Sequence, residues 1–319
     1  MPVIFPASFT RDKVVPEDGS SANADNVKTK TKPSGEEFKK KQDNTLTQPV
    51  LDNLNAQMQY VGALMINGVI GGTVFRVGTR YVMTASHVIR PVVYDGVSKV
   101  LDLQHLRSEH IYVNFNEAIG ILPRVVCYLN CCFYHEELDV AVLELSNLSG
   151  LPGKMLLCKG DTNLEIENVS VIGYGNPKQQ FKKHLDPLCE VVPQHGREIR
   201  LAHRYLRKNK KKMKKMLSNP KTVDDGYQGY DDEKNIIFHG FLEHGASGGP
   251  LLVCNDPHSV KVIGVLTHGI PECFYNLPDN EQNKFPKNFR FHLACRMPMI
   301  YNAIYAENEA LAKDLFGGH

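Results

Sequence analysis

From Tyr60 onward the chain alternates between short apolar runs and clusters of turn residues. Tyr60–Ile66, Gly72–Val77, Arg80–Ala85, Ile111–Phe115, Ile121–Cys132 and Asp139–Leu145 each have the length and residue content of a strand. Asn67-Gly68 and Val77-Gly78 mark turns between them. Six strands in roughly ninety residues predict a small antiparallel barrel. After a linker at Ser146–Gly153 a second series begins: Lys154–Cys158, Val169–Tyr174, Cys189–Pro193, Ile236–Leu242, Pro250–Cys254, Val260–Thr267 and Phe289–Met297. These predict a second barrel. In the closing segment Pro298–Phe316, Ile300, Ile304, Leu311 and Leu315 recur at helical spacing, so a C-terminal helix is expected there, with Glu307 and Asn308 interrupting its apolar stripe.

Before Tyr60 the pattern is different. Residues 7–49 are dominated by Asp, Glu, Lys, Ser, Asn and Thr. Such a segment buries too little apolar surface to offset its ordering entropy, and disorder is expected. Residues 50–59 read as a short helix or a lead-in strand. The expected organisation is therefore a tail over 1–50, a first barrel over 51–150 and a second over 151–319, the last carrying an insertion at 197–235 and the helix at 298–316.

Composition narrows the class. With 319 residues, 42% of them hydrophobic, the chain can bury one or two cores, and a net charge of +2 implies no partner by itself. No run of about 18 apolar residues occurs, so no membrane helix is expected. Met1–Pro6 is too short and proline-broken for the apolar core of a secretory signal, and the expected location is intracellular, cytoplasmic or nuclear. The eight cysteines are then read as free thiols. Cys127, Cys131, Cys132 and His135 invite a zinc reading, but their spacing matches no common finger or ribbon, and no metal is expected.

Candidate chemistry centres on Gly245-Ala246-Ser247-Gly248-Gly249-Pro250, between the runs Ile236–Leu242 and Leu251–Cys254. Glycines on both sides of a serine permit a sharp turn with positive φ, which lifts the hydroxyl clear and turns neighbouring N–H groups outward. Gly245 and Ser247 are the candidate donors of an oxyanion hole. The plainer reading is a glycine-rich hairpin turn with an incidental serine. A serine hydroxyl needs a base, and the base an orienting group. His87, within Thr84-Ala85-Ser86-His87, and Asp139, opening Asp139-Val140-Ala141-Val142-Leu143, supply both.

The order His, Asp, Ser in these three contexts resembles the trypsin/chymotrypsin-like serine endopeptidases, over about Val61 to Ile300. The resemblance implies an all-β fold of two six-stranded antiparallel β-barrels with the active site between them. It also implies Ser247 as nucleophile, His87 as general base and then acid, and Asp139 fixing the imidazole tautomer, with no cofactor. Two departures carry information. Secreted trypsins place an aspartate just before the serine to pair with a new N-terminus; here that residue is Ala246, so the chain is similar instead to the non-zymogen branch, such as HtrA-like and nuclear trypsin-like proteases. The base of the specificity pocket is expected near Phe241, which cannot neutralise a cation, so no cleavage after Lys or Arg is expected, and an apolar or aromatic preference is. The pocket wall maps to Leu266, Thr267, His268 and Gly269, an edge that in the family binds substrate backbone by β-addition.

Between Gly196 and Asn235 lies an insertion the family does not need. Its first half, Arg204–Lys215, is the densest positive charge in the chain, and its second half carries Asp224, Asp225, Asp231, Asp232 and Glu233. It reads as a solvated excursion, a nuclear-import or nucleic-acid contact, or a lid over the cleft. A latent scaffold that keeps the three residues without turnover is the remaining alternative to an endopeptidase.

Overall fold

The structure, a computed structural model, describes residues 46–95, 100–115, 128–147, 149–160, 166–175, 182–241, 244–256 and 259–317. Most of the expected tail, Cys127 and the first part of the strand expected at Ile121–Cys132 lie outside the described residues.

The description begins with helix α1 (Gln48–Gln57), the first of the two readings for that segment. Strands β1 (Val61–Ile66), β2 (Val69–Val77) and β3 (Tyr81–Thr84) follow, then helix α2 (Ser86–Val93) and a small hairpin of β4 (Tyr94–Asp95) and β5 (Val100–Leu101). Strands β6 (Ile111–Asn114), β7 (Leu129–His135) and β8 (Val140–Leu145) complete a six-stranded antiparallel sheet in the order β6-β1-β2-β3-β8-β7. The β1–β2 hairpin turns at Asn67 (φ 50°) and Gly68 (φ 80°), the left-handed pair that matches the twist of a tight hairpin.

A second sheet is built from β9 (Leu156–Leu157), β10 (Asn168–Gly173), β11 (His184–Glu190), β12 (Asn235–Phe238), β13 (Pro250–Asp256), β14 (Ser259–Ile270) and β15 (Phe291–Arg296). Six strands run in the order β11-β10-β13-β14-β15-β12, all antiparallel, with the two-residue β9 added parallel to β14. The two ends of this path meet: Val191 bridges Phe238, and the Val192 N–H donates to the Ile237 carbonyl at 2.8 Å. That contact is an isolated bridge and not a continuous strand pairing, and both sheets are curled half-barrels rather than the closed barrels expected. The mostly β architecture, with its two curled six-stranded sheets and C-terminal helical segment, is that of the trypsin-like fold.

Each sheet wraps its own apolar interior, Leu64, Val74, Ile89, Val113 and Leu143 in the first and Val171, Phe238, Leu251, Leu266 and Ala294 in the second. A third cluster joins them: Phe75, Met83 and Val142 of the first sheet meet Leu252, Val262 and Cys295 of the second. Strands buried on both faces in this way read as continuous apolar runs instead of alternating ones. The closing segment adds Ile300, Ile304, Leu311 and Leu315 to the same cluster. It forms two helices, α7 (Met297–Glu307) and α8 (Glu309–Phe316), because Asn308 leaves the helical region and caps the second, its Oδ1 accepting the Leu311 N–H at 3.0 Å.

The insertion is ordered. Helix α3 (Arg197–Lys214) and the short α4 (Lys221–Asp225) pack with α5 (Glu272–Tyr275) around Ile199, Leu206, Met213, Val223 and Phe274, and α6 (Asp279–Gln282) follows α5. The seven described cysteines are all free. No helix among the described residues is long and apolar enough to cross a membrane.

Candidate active site

His87 stands one residue into α2, directly after β3, and Asp139 immediately before β8, the strand that pairs with β3. Register therefore brings together two residues fifty-two positions apart. Asp139 adopts φ 53°, a left-handed conformation that Asp tolerates better than most residues, in the turn joining β7 and β8. Its Oδ2 lies 2.7 Å from His87 Nδ1, while Oδ1 accepts the His87 backbone N–H at 2.8 Å and the Ser86 hydroxyl at 2.9 Å. Burial works against ionisation of Asp139, but these hydrogen bonds and the adjacent imidazole outweigh it and hold the carboxyl below its ordinary range. A carboxylate at Nδ1 requires the proton there, which leaves Nε2 with a free lone pair.

Ser247 is set on the loop before β13, and three threonine contacts fix it against the first sheet. The Thr73 N–H donates to the Ser247 carbonyl at 2.8 Å, Thr73 Oγ1 donates to the Gly245 carbonyl at 2.7 Å, and Thr84 Oγ1 holds the Thr73 carbonyl at 2.7 Å. Gly245 (φ 98°) and Gly248 (φ 87°) take the positive φ that the loop requires. At Gly248 the need for glycine is twofold, since a Cβ would collide with the Thr73 carbonyl and the Thr84 hydroxyl. Gly248 and Gly249 donate their N–H groups to Leu266 and Ala246, whereas the N–H groups of Gly245 and Ser247 have no protein acceptor among the described residues. Ala246 is buried against Gly173.

His87 and Ser247 line one cavity of about 300 Å³ together with Leu266, His268 and Gly269 of β14. Three of the four expected wall residues are thus beside the serine. Thr267 is turned to the other side of the strand, where its hydroxyl donates to the Leu293 carbonyl at 3.0 Å and it borders a neighbouring cavity shared with His87 and Asp139. Phe241 lies elsewhere. Its N–H is tied to Asp186 Oδ2 at 2.8 Å, the residue is 83% exposed, and it borders a cavity of about 430 Å³ that shares Tyr275 and His292 with the serine cavity.

The serine cavity is also lined by His292, Glu272, Tyr275, Asn276 and His244. None of these five emerges from local sequence reading. His292 is only 8% exposed, stacks on Phe238 and is placed by its register opposite Gly269. Its Nε2 donates to the Gly240 carbonyl at 3.1 Å, and burial pushes its pKa down to about 4, so at neutral pH the ring is uncharged with Nδ1 as an acceptor. Tyr275 folds back so closely over Gly269 that a Cβ there would meet its hydroxyl. The lining mixes the polar groups of His244, His268, Glu272, Asn276 and His292 with the apolar surface of Leu266 and the Tyr275 ring.

No group of three or more potential metal ligands occurs among the described residues. Two curled sheets, with a carboxylate-held imidazole from one facing a serine loop from the other, define a serine protease fold of the trypsin-like type. A family model described as the trypsin-like peptidase domain matches residues 72–265, and the chain belongs to that family. No curated protein gives a significant match.

Proposed function

We propose that the protein is a serine endopeptidase in which Ser247, His87 and Asp139 act as the catalytic triad. The observation that carries this reading is the geometry at His87. Nδ1 is 2.7 Å from an ionised Asp139. That tautomer leaves Nε2 with its lone pair, and His87 lines the same cavity as Ser247. His87 then removes the Ser247 proton as Oγ attacks the scissile carbonyl, and Asp139 stabilises the imidazolium that forms. The developing oxyanion is taken by the N–H groups of Gly245 and Ser247, which have no competing acceptor among the described residues. His87 next protonates the leaving amine, and water repeats the sequence to release the acyl group.

Specificity is read from the lining that Ser247 shares with His292. A neutral His292 with an accepting Nδ1 favours a substrate side chain that brings a hydrogen-bond donor, glutamine or asparagine, over an aliphatic one. Ala246 supports activity without the zymogen ion pair, because no charge is present there to receive it.

Purified protein and its Ser247→Ala variant, compared on unfolded casein and a mixed peptide library, test both parts. Cleavage by the wild type alone supports the triad, and the cut sites report the pocket. Cleavage chiefly after Lys or Arg contradicts the specificity reading, and cleavage retained in Ser247→Ala contradicts the mechanism.

A further inference from the structure

Helix α3 has one face buried and the opposite face cationic. Ile199, Ala202, Leu206 and Met213 are buried in the cluster it forms with α4 and α5. At 100° per residue, Arg197, Arg200, Arg204, Arg207, Lys208, Lys211 and Lys215 fall on the other side, within an arc of about 100°. All seven are exposed.

The lysines on the two flanks of this arc are neutralised within the fold. Lys210 and Lys214 pair with Asp224 at 2.7 and 2.5 Å, and Lys212 pairs with Glu281 at 2.7 Å. The helix's own acid, Glu198, faces His239 at 3.3 Å. No ion pair is formed by the seven cations of the arc among the described residues. Arg200 uses one nitrogen, on the His195 carbonyl at 2.6 Å, and keeps its charge. Like charges three and four residues apart destabilise an isolated helix, so this face is maintained against its own repulsion while the acids are placed at its edges.

We propose that this face of α3 is a docking surface for the phosphate backbone of a nucleic acid. From Arg197 to Lys215 the stripe spans about 27 Å, a length over which duplex DNA presents several phosphates on one strand. Four of the seven cations are arginines, whose planar donor forks match phosphate oxygens. A membrane surface fits less well: the apolar face that would enter the lipid is consumed by the core, and no large apolar side chain is exposed within the arc. Base readout is absent from the proposal. Binding is electrostatic and independent of sequence, and it does not depend on the peptidase reading.

The test is fluorescence anisotropy of the full chain with a labelled 20-base-pair DNA duplex between 50 and 200 mM NaCl. The expected result is binding whose log–log salt slope is about −4 to −6, the signature of five to seven phosphate contacts. Combining Arg204→Gln, Lys208→Gln and Lys211→Gln lowers affinity at least tenfold at 100 mM NaCl and makes the slope shallower by about 3. The flank variant Lys210→Gln/Lys212→Gln/Lys214→Gln removes the same charge and retains wild-type binding. Thermal unfolding confirms that both variants are folded; should the triple variant fail to fold, single Lys208→Gln and Lys211→Gln variants each reduce the slope by about 1. Absence of binding at 50 mM NaCl overturns the proposal. So does equal loss in the stripe and flank variants, unchanged binding in the stripe variants, or capture by phosphatidylserine vesicles without capture by DNA.

Discussion

Thr73 is fully buried and joins the two halves of the site, with contacts to Ser247, Gly245, Tyr174 and Thr84. Asp139 has an equally local task, to hold one tautomer of His87. Asp139→Asn keeps the shape and removes the charge, so kcat is expected to fall by about 10³–10⁴ with little change in thermal stability; an undiminished kcat contradicts the role. His292 yields a prediction about pH. Its ordinary pKa of 6.5 is lowered to about 4 in the fold. As pH falls below 6.5 the unfolded chain binds a proton that the folded chain refuses, so stability falls until about pH 4 and then levels. The loss attributable to this group is roughly 3 kcal/mol. Urea unfolding of wild type and His292→Gln across that interval measures it, as the part of the pH dependence the variant lacks. Identical profiles contradict it.

At the level of elements, the C-terminal pair locks the molecule. Asp314 of α8 accepts the Thr79 backbone N–H at 2.7 Å and the Thr79 hydroxyl at 2.6 Å, tying the last helix to the β2–β3 turn. Asp314→Ala and Asn308→Ala are each expected to cost about 1 kcal/mol, seen as a lower urea midpoint at constant m-value. Much of this layer was legible beforehand. The run Arg80–Ala85 became Tyr81–Thr84, and the Asn67-Gly68 turn is present, because those signals are local. The closing segment is expected as one helix, and the structure breaks it into two where Glu307 and Asn308 interrupt the apolar stripe. By contrast, the strand expected at Cys189–Pro193 begins earlier, at His184, since His184–Glu190 is held by pairing with β10 and not by an apolar pattern of its own. In α3 the spacing of Ile199, Ala202, Leu206 and Met213 was present but masked by charge density.

For the molecule as a whole, the pairing of His87 with Asp139 and the shared cavity of His87 and Ser247 are reachable from sequence because each residue lies in a short, specific context that fixes its place at the end of a strand or in a turn. The rest of the cavity lining is not. His292 and Tyr275 reach the cavity through the β14–β15 register and the fold-back of α5, neither of which leaves a local trace. The position of Phe241 depends likewise on a distant partner, Asp186, which accepts its N–H and leaves no local trace. The most direct measurement of the proposed chemistry is reaction with a serine-directed phosphonate followed by mass spectrometry of the intact and digested protein. A single adduct on Ser247, absent in His87→Ala and Ser247→Ala, is the expected result. A wild-type protein that forms no adduct and cleaves neither casein nor the peptide library would contradict the endopeptidase reading.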